Sequence, residues 1–239
     1  MTETRAFEAA KRHLRDESRA HEDLCEPLLS VINVTGASVT VLGDASQSTV
    51  CASDDTVLRL DQLQIDLGEG PSWVSLSTRT PVLVHQLDDD GSKDSATAGH
   101  SAWPVFQKAA RTEPATRGVA SMFAFPLIVG RLGIGAIDFY SSTPHCLTDT
   151  EVRHARELAD LAAWQVIRRL LDDDVDDFGA HLAQREMHQA TGMILAQLEI
   201  TPDDAALLLR AHSFATGRPV RDVARDVIAR RIDFRTNRE

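Results

Sequence analysis

Arg185-Glu-Met-His-Gln-Ala-Thr-Gly-Met-Ile-Leu195, Ile200-Thr-Pro-Asp-Asp-Ala205, Leu208-Leu-Arg-Ala-His-Ser213 and Gly217-Arg-Pro-Val-Arg-Asp-Val-Ala224 follow one another near the C-terminal end of the sequence. Thr201 before Pro202 is a helix start: a hydroxyl N-cap, then proline at the first helical position, where its missing N–H is no loss. Thr216-Gly-Arg-Pro219 is a stop. Helices are therefore predicted over residues 182–198, 205–215 and 220–232, joined by two tight connections. A three-helix unit of this size needs something to pack on. The helix that precedes it is the natural support.

That preceding helix opens at Thr148, with Glu151 three residues later, the signature of a capping box. Leu158, Leu161, Ile167 and Leu171 continue its apolar period. Leu171, Val175, Phe178 and Leu182 then recur at intervals of four, three and four, the seam of a coiled coil, and predict dimerisation. The five aspartates between Asp172 and Asp177 fall off that seam and read as a solvated face.

Further upstream the pattern changes to alternating strands among helices. A helix is expected over 5–32, strands over 37–42 and 49–53, and a short helix over 72–78 opened by the break Gly68-Glu-Gly-Pro71. A strand over 81–85, a polar loop over 88–100 and a helix over 103–111 follow. Residues 122–129 and 134–140 read as a central hairpin turned at Gly130-Arg-Leu-Gly133. The class is α+β: an antiparallel sheet flanked by helices, joined through a long coiled-coil-like helix to an all-α three-helix unit. The divisions are 1–168 for the α+β domain, 149–182 for the connecting helix and 181–239 for the helical domain.

Composition agrees with two folded domains. The 239 residues are 43% apolar and 26% charged, ordinary for a globular chain. No apolar run approaches the ~18 residues of a membrane span. The N-terminal stretch has charges throughout and no signal-peptide core. Cys25, Cys51 and Cys146 stand far apart with no CxxC pair, which favours neither a disulfide framework nor a zinc site. A cytoplasmic location is expected, with no membrane partner.

The net charge of −11 speaks against a polyanionic partner until its distribution is seen. Residues 179–239 hold nine arginines and eight acids, about +1, and the last 35 residues hold eight arginines and four acids. Every Lys or Arg after Lys108 is an arginine, whose planar fork pairs with phosphate and stacks on bases. No GxSxG, P-loop or HExxH is present, and Gly133-Ile-Gly135 falls in a hairpin, so no enzyme is predicted. No metal site and no cofactor are predicted.

The segments quoted at the outset agree in residue type and spacing, over about 55 residues, with the ANTAR domain, and the chain resembles that family there. Thr191 stands where the family usually has a basic residue, and Gly217-Arg-Pro-Val220 where it often has Asn-Arg/Lys-x-Leu. Residues 12–168 resemble a GAF domain, through Leu67-Gly-Glu-Gly-Pro71, Arg79-Thr-Pro-Val-Leu-Val84, Ala124-Phe-Pro-Leu-Ile-Val129 and Leu132-Gly-Ile-Gly-Ala-Ile-Asp-Phe139. Many GAF–ANTAR sensors of actinobacterial type carry cysteine where this chain has Ser72. The resemblance implies an RNA-binding transcription antitermination regulator. A sensor domain, with a small-molecule ligand possible, would control a unit that binds paired RNA hairpins with small loops near a terminator. Two hairpins need two such units, hence a homodimer.

Loop bases are unstacked and readable at their edges, and the flanking stem phosphates need cations. The expected RNA-binding residues are Arg185, Gln189, Ala190, Thr191 and Gly192 on the first helix. Arg210, Ser213, Thr216, Arg218 and Pro219 lie on and after the second, and Arg221 and Arg225 one turn apart on the third. Gln189 is the best edge reader because an amide donates and accepts. Ala190 and Gly192 would let RNA approach the backbone closely.

The alternative is a small-molecule, metal or haem sensor whose C-terminal helices bind DNA or a protein partner. Residues 205–232 have a helix–turn–helix outline, yet the last helix starts Val220-Arg-Asp-Val-Ala224, mostly packing residues. Glu17, His21 and Cys25 would share one face of the first helix as a ligand set, and His85 and His100 flank the expected sensor pocket. Trp73, Trp103, Phe123, Phe125 and Phe139 suit its wall or the core.

Overall fold

The computed structural model describes residues 3–19, 23–43, 47–87, 103–172 and 178–237, with side chains also left out at a few positions inside these ranges. The chain divides into two compact units, 1–65 with 69–175, and 66–68 with 176–239.

The first unit is built on five antiparallel strands in the order β2-β1-β5-β4-β3. They are β1 (Gly36–Leu42), β2 (Gln47–Ala52), β3 (Val82–Val84), β4 (Ser121–Val129) and β5 (Leu132–Ser141). The predicted central hairpin is β4–β5, with Phe125 opposite Ile137. Gly135 lies in β5 opposite Val41, where a Cβ would meet the Thr40 carbonyl oxygen at 1.9 Å, so only glycine fits.

Alternation splits the sheet's chemistry between its faces. Val39, Val41, Phe123, Phe125, Ile137 and Phe139 point to one side. There they meet α1 (Glu3–Arg15), α2 (Cys25–Leu29) and α6 (Asp149–Asp172) through Phe7, Leu14, Leu28, Leu158, Ala162 and Val166. The capping box at Thr148 is formed: Thr148 Oγ1 accepts from the Glu151 N–H at 3.2 Å, and the Glu151 carboxylate accepts from the Thr148 N–H at 2.8 Å. Gln165 Nε2 ties α6 to α1 by donating to the Leu14 carbonyl at 2.7 Å.

The other face is polar and sealed by α3 (Asp55–Leu67) and α4 (Pro71–Thr78). Asp61 of α3 accepts from Ser38 Oγ (2.9 Å), Thr40 Oγ1 and Thr49 Oγ1 (3.1 Å) of the sheet. Asp138 of β5 accepts from Gln64 Nε2 at 2.7 Å and from Ser72 Oγ. Both carboxyls are buried. Among the described residues no N–H or O–H donates to Asp138 Oδ1. Burial, then the neighbouring Asp138 charge, push Asp61 well above the usual carboxylate range; burial raises Asp138 to about 6. An acid whose folded pKa is raised binds its proton more tightly folded than unfolded, so it favours folding at low pH and loses that contribution as pH climbs. We expect the urea midpoint of this unit to fall between pH 5 and pH 8. Asp138→Asn, which puts an amide donor beside Asp61, should flatten that slope. A wild-type midpoint that is level or rising over this window would contradict the raised pKa of these two buried carboxyls.

The sequence expectations fail in three places here. The helix expected over 5–32 is broken into α1, a short 3-10 turn (Glu17–Arg19) and α2, because residues 16–19 turn on the Asp16 carboxylate, which accepts from the Ser18 N–H and hydroxyl. Glu17 and Cys25 therefore do not share one helix face, and His21 lies outside the described residues. The cysteines are not all free: Cys25 and Cys51 form a disulfide between α2 and β2, across 26 residues, a pairing made by sheet topology and invisible to motif spacing. Asp23, beside them, caps α2 by accepting the Cys25 N–H at 2.8 Å. Trp103, Phe123, Phe125 and Phe139 are core and Trp73 is half-buried; the expected polar loop with His100 lies outside the described residues.

The second unit holds α7 (Phe178–Leu198), α8 (Pro202–Thr216) and α9 (Val220–Ile228), with a 3-10 turn at Phe234–Asn237. The Thr201 N-cap accepts the Asp204 N–H at 3.2 Å, as its sequence predicts. The last helix ends at Ile228, four residues early, because Arg230 takes a left-handed φ of 57° and the Arg231 and Ile232 N–H groups turn back to the Asp226 carbonyl. Eight described side chains form its buried core: Ala190, Ile194, Ala205, Leu209, Val220, Val223, Ala224 and Val227.

Candidate nucleic-acid interface

The core of the second unit decides which predicted residues reach solvent. On α7, Ala190 and Ile194 point inward and Gln189 points out. Gly192 is exposed, and a Cβ there would meet nothing within 4 Å, so a ligand backbone could come close. Thr191 is half-buried. Ala190 does not do what was expected of it: it is fully buried against the other two helices, and its small size serves packing. The Arg185 side chain lies outside the described residues.

On α8, Ala205, Leu209 and Ser213 recur every four residues and face inward. Ser213 is thereby a second correction, since it is buried and its hydroxyl donates to the Arg218 carbonyl at 2.6 Å. It builds the α8–α9 corner from inside. Thr216 is exposed but its hydroxyl donates to the His212 carbonyl at 2.7 Å. Gly217 closes the helix with a φ of 62°, and Arg218 and Pro219 are exposed beyond it.

The arginines form a row of exposed ion pairs. Arg221 and Arg225 both reach Glu186 of α7, at 3.4 and 3.1 Å, and Arg225 also lies 3.6 Å from Asp222. Arg218 and Arg231 share Asp226, each at 2.7 Å. Exposed pairs of this kind contribute little to stability, because solvent screens them. A phosphate can therefore take the guanidinium forks at small cost, with Glu186 and Asp226 holding them in place until it does. Sequence reasoning missed Glu186, which orients two arginines of another helix. It missed Phe214 as well, although the helical phase signals it: Phe214 follows Leu207 by seven residues and is out of step with Ala205, Leu209 and Ser213.

Of the predicted dimer seam, Leu171 lies in the last turn of α6 and is 64% exposed. Val175 and the side chains of Phe178 and Leu182 lie outside the described residues. No helix among the described residues is long and apolar enough to cross a membrane.

The three-helix unit coincides with a match to the ANTAR domain over residues 180–228, and the α+β unit with a match to the GAF domain over 16–167. The chain belongs to the GAF family and carries an ANTAR domain. Solved structures bear on the GAF fold alone. The GAF domain of an Acinetobacter phosphoenolpyruvate-protein phosphotransferase is 12% identical at a TM-score of 0.50, covering 72% of this chain and 97% of that one. A bacteriophytochrome of R. palustris is 13% identical at 0.50, covering 86% of this chain and 45% of its own. A GAF domain/HD domain protein of Geobacter sulfurreducens is 17% identical at 0.45, covering 67% and 98%. No curated protein matches. GAF–ANTAR proteins are regulatory: GAF domains sense and ANTAR domains bind RNA in antitermination.

Proposed function

We propose that this GAF–ANTAR chain is a transcription antitermination regulator whose ANTAR unit binds RNA hairpins with small loops near a terminator, under control of the GAF domain. The single observation that carries the reading is the ANTAR match over 180–228, falling on a folded unit that exposes Gln189, an open Gly192 and a row of arginines. The roles divide by chemistry. Gln189 reads a loop-base edge, Gly192 admits the backbone, and Arg218, Arg221 and Arg225 with Arg185 neutralise stem phosphates, whereas Arg210, also expected there, is half-buried with its guanidinium beside Gly68.

Pairing of two chains through the Leu171, Val175, Phe178 and Leu182 seam presents two ANTAR units to two hairpins. The GAF domain shifts this equilibrium only so far as its signal, a small molecule being one candidate, favours one state over the other.

The test is titration of the full-length chain with a short-loop hairpin RNA and with duplex DNA of equal charge, at two salt concentrations. RNA should win, with affinity falling as salt rises. Gln189→Ala should weaken loop RNA by roughly tenfold, the scale of 1–3 kcal/mol for a good base-edge contact. Equal affinity for duplex DNA, untouched by Gln189→Ala, would favour the helix–turn–helix reading instead.

A further inference from the structure

We propose that the corner between α8 and α9 is the base-reading point of this RNA site, with the ring of Phe214 as the platform on which one unpaired loop base stacks. The inference rests on the RNA reading above and adds to it a recognition residue.

Phe214 is 52% exposed, on the face of α8 opposite Ala205, Leu209 and Ser213, so the core of the unit does not account for it. It opens a run of six consecutive exposed residues, Phe214-Ala-Thr-Gly-Arg-Pro219. The corner is held from within. The Gly217 N–H donates to the Phe214 carbonyl at 3.2 Å, the Arg218 N–H to the Ser213 carbonyl at 3.1 Å, and the Ser213 hydroxyl to the Arg218 carbonyl. Gly217 adds open space, since a Cβ there would touch nothing within 4 Å. A ring presented from such a backbone has two torsions to order on binding, and flat aromatic faces accept any base.

Charge decides the occupant. Arg218 follows Phe214 on the same exposed run, its guanidinium steered by Asp226 at 2.7 Å, whereas Arg210, one turn before Phe214, is half-buried with its guanidinium beside Gly68. A splayed nucleotide offers an apolar flat base with a phosphate beside it, the complement of an exposed ring followed by an exposed arginine. A second copy of the same face would bring the two Arg218 groups together beside the two rings, which disfavours a symmetric protein contact here.

The experiment uses the full-length chain and a short-loop hairpin RNA carrying 2-aminopurine at each loop position in turn. Binding should quench the fluorophore at one loop position. Phe214→Ala and Phe214→Leu should both weaken binding by roughly 5- to 150-fold and abolish that quench, because leucine keeps the apolar area without the ring. Phe214→Trp should retain both. The dependence of affinity on salt should stay the same in all variants, since no charge is removed. Wild-type binding matched by Phe214→Ala, with the quench intact, would overturn this inference alone. A Phe214→Ala variant altered only in its sedimentation would overturn it in favour of a protein contact. Failure of the wild type to bind any hairpin would overturn the RNA reading and the inference together.

Discussion

Leu209→Ala should unfold the ANTAR unit while leaving the GAF unit folded. The core of the second unit has eight described buried side chains, and three of them, Ala190, Ala205 and Ala224, are alanines. Leu209 and Ile194 are therefore its two largest buried groups, and Leu209 is fully enclosed among α7, α8 and α9. Truncating a buried leucine costs about 2–5 kcal/mol, the higher values where the surroundings cannot collapse. Neighbours that are already short backbones of helix leave little to collapse. A core of this size supplies on the order of 3–5 kcal/mol in total, so one truncation consumes most of it. Hydrogen exchange of the full chain should show protection lost over 186–198, 202–216 and 220–228 and kept over 121–141. RNA binding should vanish with it. Protection and affinity both unchanged would mean that these three helices do not share one core.

Much of this was legible in the sequence because the deciding signals are local. Thr201-Pro202 and Gly217 bound α8, Thr148 with Glu151 opens α6, and the run around Gly130 turns the β4–β5 hairpin. What escaped was non-local. The Cys25–Cys51 disulfide exists because β2 folds back beside α2. The Asp61–Asp138 pair exists because α3 packs its Asp61 over the sheet face that carries Asp138, 77 positions away, and nothing near either aspartate announces a carboxyl partner. Within the candidate interface, the sequence shows residue type but not the direction in which a side chain points. Ala190 and Gly192 are both small and two residues apart, yet one fills the core and the other faces solvent. Ser213 and Thr216 both carry hydroxyls, and both spend them on backbone carbonyls. Helical phase separates inward from outward positions only when the core is known, and the buried period Ala205, Leu209, Ser213 becomes evident only once α7 and α9 are in place.

The second large effect concerns two hairpins. When one chain holds one hairpin and its partner holds the other, the second contact is intramolecular, and its effective concentration is set by the RNA spacer. Avidity of this kind raises affinity by about 10²–10⁴ without any new contact. The feature that would supply the partner is the seam of Leu171, Val175, Phe178 and Leu182, whose four-three-four spacing is that of paired helices. Leu182→Glu places a charge on that seam and should remove the advantage while leaving single-hairpin affinity as it was. Spacer length should matter as well, with the gain greatest where the two loops just span the two units.

The decisive measurement is therefore the affinity of the full-length chain for an RNA with two short-loop hairpins against the same RNA with one hairpin deleted, at equal salt, for the wild type and Leu182→Glu. A GAF–ANTAR dimer reading paired hairpins predicts a wild-type preference on the order of 10²–10⁴ for the double hairpin, reduced to near parity by Leu182→Glu. Equal wild-type affinity for the two RNAs would contradict it.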